Sequence, residues 1–79
     1  MLESSLKKRE IKKLKKEHPD AIIMATNGTV SGIPDYVVFD KNNCYFIEFK
    51  TQSELSELQK HMISRLKELG YETKIIIKK

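Results

Sequence analysis

The chain has 79 residues, including fifteen lysines or arginines and eleven aspartates or glutamates, and its formal net charge is +4. This length predicts one small domain, residues 1–79, and excludes a second one. The single cysteine excludes an internal disulfide, and it does not form a zinc site with the two histidines. No apolar run approaches the roughly 20 residues that span a bilayer, and no signal sequence is recognised, so we expect a cytoplasmic protein.

The first predicted element is a basic amphipathic helix from Leu2 to about Glu17. Pro19 marks its end, because the residue before a proline avoids the helical region. Apolar side chains recur on one face at Leu2, Leu6, Ile11 and Leu14. Seven basic residues lie between positions 7 and 16, and they form either a solvated helix face or a surface that contacts phosphates.

Two acidic residues, Glu3 and Glu10, interrupt the apolar side of this helix. They lie about two helical turns apart, so both cannot bind one metal ion. Each either contributes to a site or pairs with a nearby lysine.

Three strands are predicted next, at Ala21–Thr26, Asp35–Asp40 and Cys44–Lys50. The first two are separated by a flexible loop with two glycines, and the last two by a tight turn. Side chains alternate across a strand. We therefore expect one set to be buried against a helix and the other to lie on the opposite face, the first being Tyr45, Ile47 and Phe49 and the second Cys44, Phe46, Glu48 and Lys50.

The second half predicts a helix followed by a strand. Ser56 and Gln59 have the spacing of a capping box, and Gly70 is a natural terminator. Thr73–Lys78 is a β-branched run, expected to lie parallel to the third strand. The predicted buried stripe of this helix is Leu58, Met62, Leu66 and Leu69, with Ile63 nearby. The order α-β-β-β-α-β indicates an α/β fold with a mixed sheet flanked by helices.

Charged residues are placed unusually in the predicted hairpin. Asp35 follows a proline at the start of the second strand, and pairing of the two strands would return it beside Glu48 and Lys50. Neighbouring carboxylates repel unless a cation lies between them, and hard oxygen ligands suit Mg²⁺ or Mn²⁺. The alternative is a surface hairpin with a Glu–Lys pair.

Short motifs in this hairpin and after it resemble a known family. They are Gly32-Ile33-Pro34-Asp35, Ile47-Glu48-Phe49-Lys50, and Leu55-Ser56 with Gln59. Together they resemble the VRR-NUC branch of the PD-(D/E)-x-K nuclease superfamily, over about residues 2–77. The resemblance implies a restriction-endonuclease-like core and a Mg²⁺- or Mn²⁺-dependent endonuclease that hydrolyses phosphodiester bonds in DNA.

The resemblance also assigns metal ligands. Asp35 and Glu48 would hold the metal, helped by the backbone carbonyl of Phe49. In the family an early-helix glutamate completes the acidic cluster, and Glu3 matches its position better than Glu10 does.

Further roles follow from the same resemblance. Lys50 would orient the attacking water or stabilise charge on the phosphate oxygens. Gln59 lies by the catalytic centre in the family, whereas its capping role explains it without function, and both readings stay open. Family members often carry basic residues in the loop 27–32, and this chain has none. We therefore expect DNA to be contacted by Lys7, Lys8, Lys12 and Lys50.

Small stand-alone members of the family resemble phage-type Holliday junction resolvases and act as homodimers, which implies branched DNA as substrate and a bacterial or phage-infected host. A domain of this size also gains core by dimerising. The apolar surface for a dimer would come from Val30, Ile33, Tyr36 or the third-strand aromatics. The alternative functions are a non-catalytic DNA-binding module that uses the basic helix, and a protein-interaction domain.

Overall fold

The computed structural model describes residues 3–50 and 54–77, with the backbone alone for residues 3 and 4. Its elements are α1 Glu3–Glu17, β1 Ile22–Ala25, β2 Tyr36–Asp40, β3 Asn43–Lys50, α2 Glu57–Glu68 and β4 Glu72–Ile77. The predicted order is confirmed, although the expected helix start at Leu2 and strand end at Lys78 lie outside the described residues. Neither helix in these ranges has the length and apolar character that a membrane-spanning segment requires.

The four strands form one mixed sheet in the order β1-β2-β3-β4. β1 pairs with β2 and β2 with β3 in antiparallel fashion, as short connections allow. β3 and β4 run parallel, because α2 carries the chain back along the sheet between them. The predicted mixed sheet and the predicted direction of the last strand are both confirmed.

The core lies between α1 and one face of the sheet. Leu6 of α1 and Phe49 of β3 are fully buried there, and Ile11 and Leu14 pack against the same cluster. Each large apolar side chain that is removed from water in this way stabilises the fold by about 1.5–3 kcal/mol. The period-two prediction for β3 is confirmed, because the buried cluster consists of Leu6, Val38, Tyr45, Ile47 and Phe49.

The predicted apolar stripe of α2 is wrong in two of its members. Leu58 and Leu69 are 60% and 67% exposed, whereas Leu66 is buried. At about 100° per residue, Leu69 lies roughly 20° from Leu58 around the helix axis, Leu66 roughly 80° and Gln59 roughly 100°. The helix is therefore rotated so that its Gln59 side, not its Leu58 side, faces the sheet.

The rotated helix makes a polar contact with the sheet. The side-chain amide of Gln59 donates to the Glu48 carboxylate on β3 at 3.2 Å. Glu48 is 2% exposed, and a buried carboxylate is costly unless donors such as this amide satisfy it.

Gly70 ends α2 as predicted. Its φ of 97° lies in the left-handed region, which a residue without a Cβ enters at no steric cost. The chain then reverses, and the N–H of Tyr71 donates to the carbonyl of Leu66 at 2.8 Å. β4 can therefore begin two residues after the glycine.

The orientation of α2 predicts a contrast between two leucines of the same helix. Leu66→Ala should lower the free energy of unfolding by about 2–5 kcal/mol, because it leaves a cavity under the helix. Leu69→Ala, the matched control, should change it by less than about 0.5 kcal/mol. Urea denaturation measures both values. Equal losses in the two variants would contradict the observed rotation.

Candidate active site

The site lies where β2 begins and β3 ends, and β1 fixes the backbone there. The N–H of Thr26, just after β1, donates to the carbonyl of Asp35 at 2.9 Å. The Thr26 hydroxyl lies 2.5 Å from the carbonyl of Pro34 and 3.1 Å from that of Asp35. This role of Thr26 was not predicted, although a hydroxyl residue at the end of an apolar strand is a sequence signal for it. The Asp35 backbone is thus hydrogen-bonded to Thr26 on the β1 side, and its side chain contacts β3 on the other side.

Beyond Tyr36, β3 hydrogen-bonds to the side-chain carboxylate of Asp35 and no longer to the backbone of β2. Continuing the register Tyr36↔Ile47 places Asp35 opposite Glu48 and Pro34 opposite Phe49. Pro34 has no N–H to donate, and its carbonyl accepts from the Thr26 hydroxyl on the β1 side. The N–H of Phe49 donates to Oδ2 of Asp35 at 2.9 Å. The predicted convergence of Asp35 with the Glu48–Lys50 end of β3 is therefore present in the structure.

The backbone carbonyl of Phe49 also faces this end of β2. In an antiparallel pair, the N–H and C=O of one residue point to the same neighbouring strand. Since the N–H of Phe49 meets Asp35, its carbonyl lies on the same side, where Pro34 offers it no donor. The carbonyl predicted as a metal ligand thus lies next to the Asp35 carboxylate.

Lys7 of α1 is the second partner of Asp35. Its Nζ lies 3.5 Å from Oδ1 of Asp35, and the two side chains are 31% and 24% exposed. The sequence predicted a DNA contact for Lys7 and missed this ion pair. No local pattern identifies it, because the pairing depends on how α1 lies across the sheet.

Glu48 is the buried charged residue of the described chain. Gln59 donates to it and also completes the capping box. The Gln59 side-chain oxygen accepts from the N–H of Ser56 at 2.9 Å, and the Gln59 N–H donates to Oγ of Ser56 at 3.2 Å. Both geometric readings of Gln59 are therefore satisfied at once, and the helix cap orients the amide that meets Glu48.

Lys50 follows on the Glu48 side of β3 and is partly buried. No ion pair is found for Lys50 within the described ranges. The side chain of Glu3 and the connection 51–53 lie outside the described residues. The predicted ligand role of Glu3 therefore stays a prediction.

Glu10 lies away from this site. Its carboxylate is 3.9 Å from the guanidinium of Arg9. It also lines a cavity of about 190 Å³ between α1 and strands β3 and β4, and neither Asp35 nor Glu48 lines that cavity. Glu10 therefore forms an ion pair, as one of the two interpretations expected, although its partner is Arg9 and not a lysine.

Gly32 brings the glycine-containing loop into contact with the start of α2. Its φ is 79°, and a Cβ at this position would lie 2.5 Å from the Leu58 carbonyl oxygen. It would also lie 3.2 Å from the N–H nitrogen of Gln59. The glycine that opens the G-x-P-D motif thus allows the loop to pack directly on the helix turn that carries Gln59.

The predicted DNA-contacting lysines of α1 lie together beside Asp35. They border a cleft of about 470 Å³, called here the lysine cleft, which is lined by Lys7, Lys8, Ile11, Lys12, Lys15 and Tyr36. Lys50 does not line this cleft. Three of the four predicted contacts therefore share one surface, and the fourth lies at the end of β3.

The donor chemistry of the site fits a hard divalent cation. Asp35, Glu48 and the Phe49 carbonyl offer oxygen ligands, which Mg²⁺ and Mn²⁺ prefer. Among side chains that the structure describes, no three His, Cys, Asp or Glu residues are grouped to hold a metal ion. A full ligand set would therefore include the backbone carbonyl, and water or Glu3.

No family model matches this chain, and neither does any curated protein. Its structure is similar to that of the Holliday junction resolvase Hjc from the archaeal hyperthermophile Archaeoglobus fulgidus, with a TM-score of 0.52 and 22% sequence identity. The similarity covers 89% of this chain, and the chain spans 65% of the resolvase. This likeness confirms the predicted restriction-endonuclease-like α/β fold.

Gln59 both caps α2 and contacts Glu48. Substitutions should separate what each of these contacts contributes to the free energy of unfolding. Ser56→Ala removes the cap alone and should cost about 1 kcal/mol. Gln59→Glu keeps the capping acceptor but sets a second carboxylate against Glu48, and should cost about 1–3 kcal/mol.

The combined variant Glu48→Gln with Gln59→Glu should recover most of that loss, because one amide again meets one carboxylate. Urea denaturation at pH 7 measures all three. A combined variant no more stable than Gln59→Glu alone would contradict the pairing.

Proposed function

We propose that the chain is a metal-dependent DNA endonuclease of the PD-(D/E)-x-K type, within its VRR-NUC branch. It hydrolyses phosphodiester bonds at branched DNA such as Holliday junctions, inside a bacterial or phage-infected cell. The observation that carries the proposal is the Asp35 carboxylate seated on the N–H of Phe49, beside Glu48. The fold shared with a Holliday junction resolvase adds support.

Asp35, Glu48 and the carbonyl of Phe49, with Glu3, would hold Mg²⁺ or Mn²⁺. When bound, the ion polarises the scissile phosphate and makes a bound water nucleophilic at neutral pH. The chain prepares the ligands for this. The N–H of Phe49 donates to one oxygen of Asp35, and the side-chain amide of Gln59 donates to one oxygen of Glu48, so a directed donor helps to orient each carboxylate.

Lys50 supplies the remaining charge. It lies one strand period from Glu48, on the same face of β3, and would orient the attacking water or stabilise charge on the phosphorus oxygens. The water oxygen bonds to phosphorus as the bond to the leaving oxygen breaks. The family resemblance implies products that carry a 5′-phosphate.

The proposal predicts cleavage of a four-way DNA junction by the purified protein with Mg²⁺ or Mn²⁺. Asp35→Asn, which keeps an acceptor for the Phe49 N–H, should lower the rate at least about 100-fold, as should Lys50→Met. His61→Ala, on the exposed side of α2, is the control and should cleave normally. Denaturing gels measure the rate, and filter binding measures DNA affinity.

Wild-type rates in both site variants would exclude the assigned residues. Junction binding without cleavage under every metal would favour a non-catalytic DNA-binding module. Absence of salt-dependent DNA binding would exclude both functions.

The proposed active form is a homodimer. On the sheet face opposite α1, Ile22, Met24 and Phe39 are 61%, 52% and 43% exposed. Ile22 and Phe39 are cross-strand partners, so these side chains form one apolar surface on β1 and β2. Tyr45 and Phe49, expected earlier as dimer contacts, are buried in the core instead. Burial of the β1–β2 surface against a second copy would add core to a small domain.

Charge on that surface should therefore separate the protomers. Wild type should sediment as a dimer at micromolar concentration, and Ile22→Lys and Phe39→Lys as monomers, because a lysine cannot be buried there unpaired. Leu69→Lys, on the exposed side of α2, should stay dimeric. A monomeric wild type, or dimers in both strand variants, would contradict this interface.

A further inference from the structure

The lysine cleft combines positive charge with an apolar floor. Four of its six lining residues are lysines, and none is acidic. Within the described ranges no ion pair engages Lys8, Lys12 or Lys15. The opposite side of α1 differs, because Glu10 and Glu17 accompany Lys13 there. The cleft is therefore a local cationic surface, not part of a uniformly charged helix.

Tyr36 gives the cleft a fixed aromatic wall. Its ring meets that of Phe49 edge to face, with centroids 5.8 Å apart and planes at 87°. Phe49 is fully buried, so Tyr36 is supported from the core side while it lines the cleft on the other. Ile11 completes the apolar lining. An aromatic platform ringed by cations is the arrangement that binds unpaired nucleotides, with the base stacked and the phosphates on basic side chains.

The cleft continues toward the candidate active site. Lys7 and Tyr36 also line a second cavity, of about 290 Å³, together with Asp35, Thr26 and the loop residues Asn27 and Gly28. A strand that crosses Tyr36 would thus pass from the lysines to the Asp35 carboxylate without leaving the surface.

We propose that the lysine cleft binds an unpaired nucleotide of the substrate, with its base against Tyr36 and Ile11 and its flanking phosphates on Lys8, Lys12 and Lys15. The inference rests on the proposed action on DNA and narrows the substrate. Bases of an intact duplex are stacked and paired and cannot enter the cleft. Among branched DNAs, the preferred ones therefore expose at least one unpaired nucleotide beside the scissile phosphate, as a flap does, or as a four-way junction does where base pairs at its crossover open.

Binding assays in EDTA separate this inference from catalysis. The probe is a duplex with a three-nucleotide flap that carries the fluorescent base 2-aminopurine at its first unpaired position. Wild type should bind it about 10-fold more tightly than the matched blunt duplex, as one stacked base allows. The 2-aminopurine emission should be quenched. Removing that base, to leave an abasic site, should abolish the gain with the protein unchanged.

Protein variants supply the second arm. Tyr36→Phe should keep the preference for the flap, and Tyr36→Leu should lose it. Lys12→Ala should weaken flap and duplex binding alike, and reduce the slope of log affinity against log salt by about 0.7–0.9. Lys13→Ala, the adjacent lysine that lines the other cavity, is the matched control and should preserve both the preference and the slope.

Equal affinity for flap and duplex, or an abasic flap bound as tightly as the intact one, would overturn the inference. Its failure is distinguishable from failure of the proposed nuclease. A preference for the flap without cleavage under any metal would support nucleotide binding in the lysine cleft and refute the nuclease function. Cleavage without a preference for the flap would support the nuclease function and refute nucleotide binding in the cleft.

Discussion

The hydrogen bond from the Phe49 N–H to the Asp35 carboxylate is the interaction on which the site depends. Pro34 offers no N–H, and its carbonyl accepts from Thr26 on the β1 side, so the backbone pairing of β2 with β3 ends at this point. The Asp35 side chain substitutes for it and thereby places a carboxylate opposite Glu48. This one hydrogen bond thus joins β2 and β3 at the end away from their turn and fixes the distance of Asp35 from β3. A surface hairpin with an isolated Glu–Lys pair would require no such closure.

The two faces of the sheet are used differently. The α1 face carries the apolar core around Leu6 and Phe49, which supplies the stability. The α2 face near the same sheet end carries a buried carboxylate, and α2 turns Gln59 toward it while Leu58 and Leu69 stay exposed. The fold thus gives up apolar burial on α2 to hold a polar group in position, which is typical of a functional site.

Sequence patterns predicted the local features well. The period of two in β3 identified its buried face, and the spacing of Ser56 and Gln59 identified the cap of α2. Both depend on neighbours within a few residues. The rotation of α2 escaped prediction because leucine spacing alone defines an apolar face, while the contact of Gln59 with Glu48 spans eleven positions of the chain. The pairing of Lys7 with Asp35 likewise depends on how α1 crosses the sheet, which no local pattern encodes.

The central claim is that Asp35 and Glu48 share one divalent cation. Crystals grown with Mn²⁺ test it most directly, because anomalous scattering locates the ion without reference to activity. The account predicts an anomalous peak bound by carboxylate oxygens of both residues, with the Lys7 ammonium displaced from Asp35. A saturating concentration of Mn²⁺ that leaves Asp35 paired with Lys7, or that places the ion elsewhere on the chain, would contradict it.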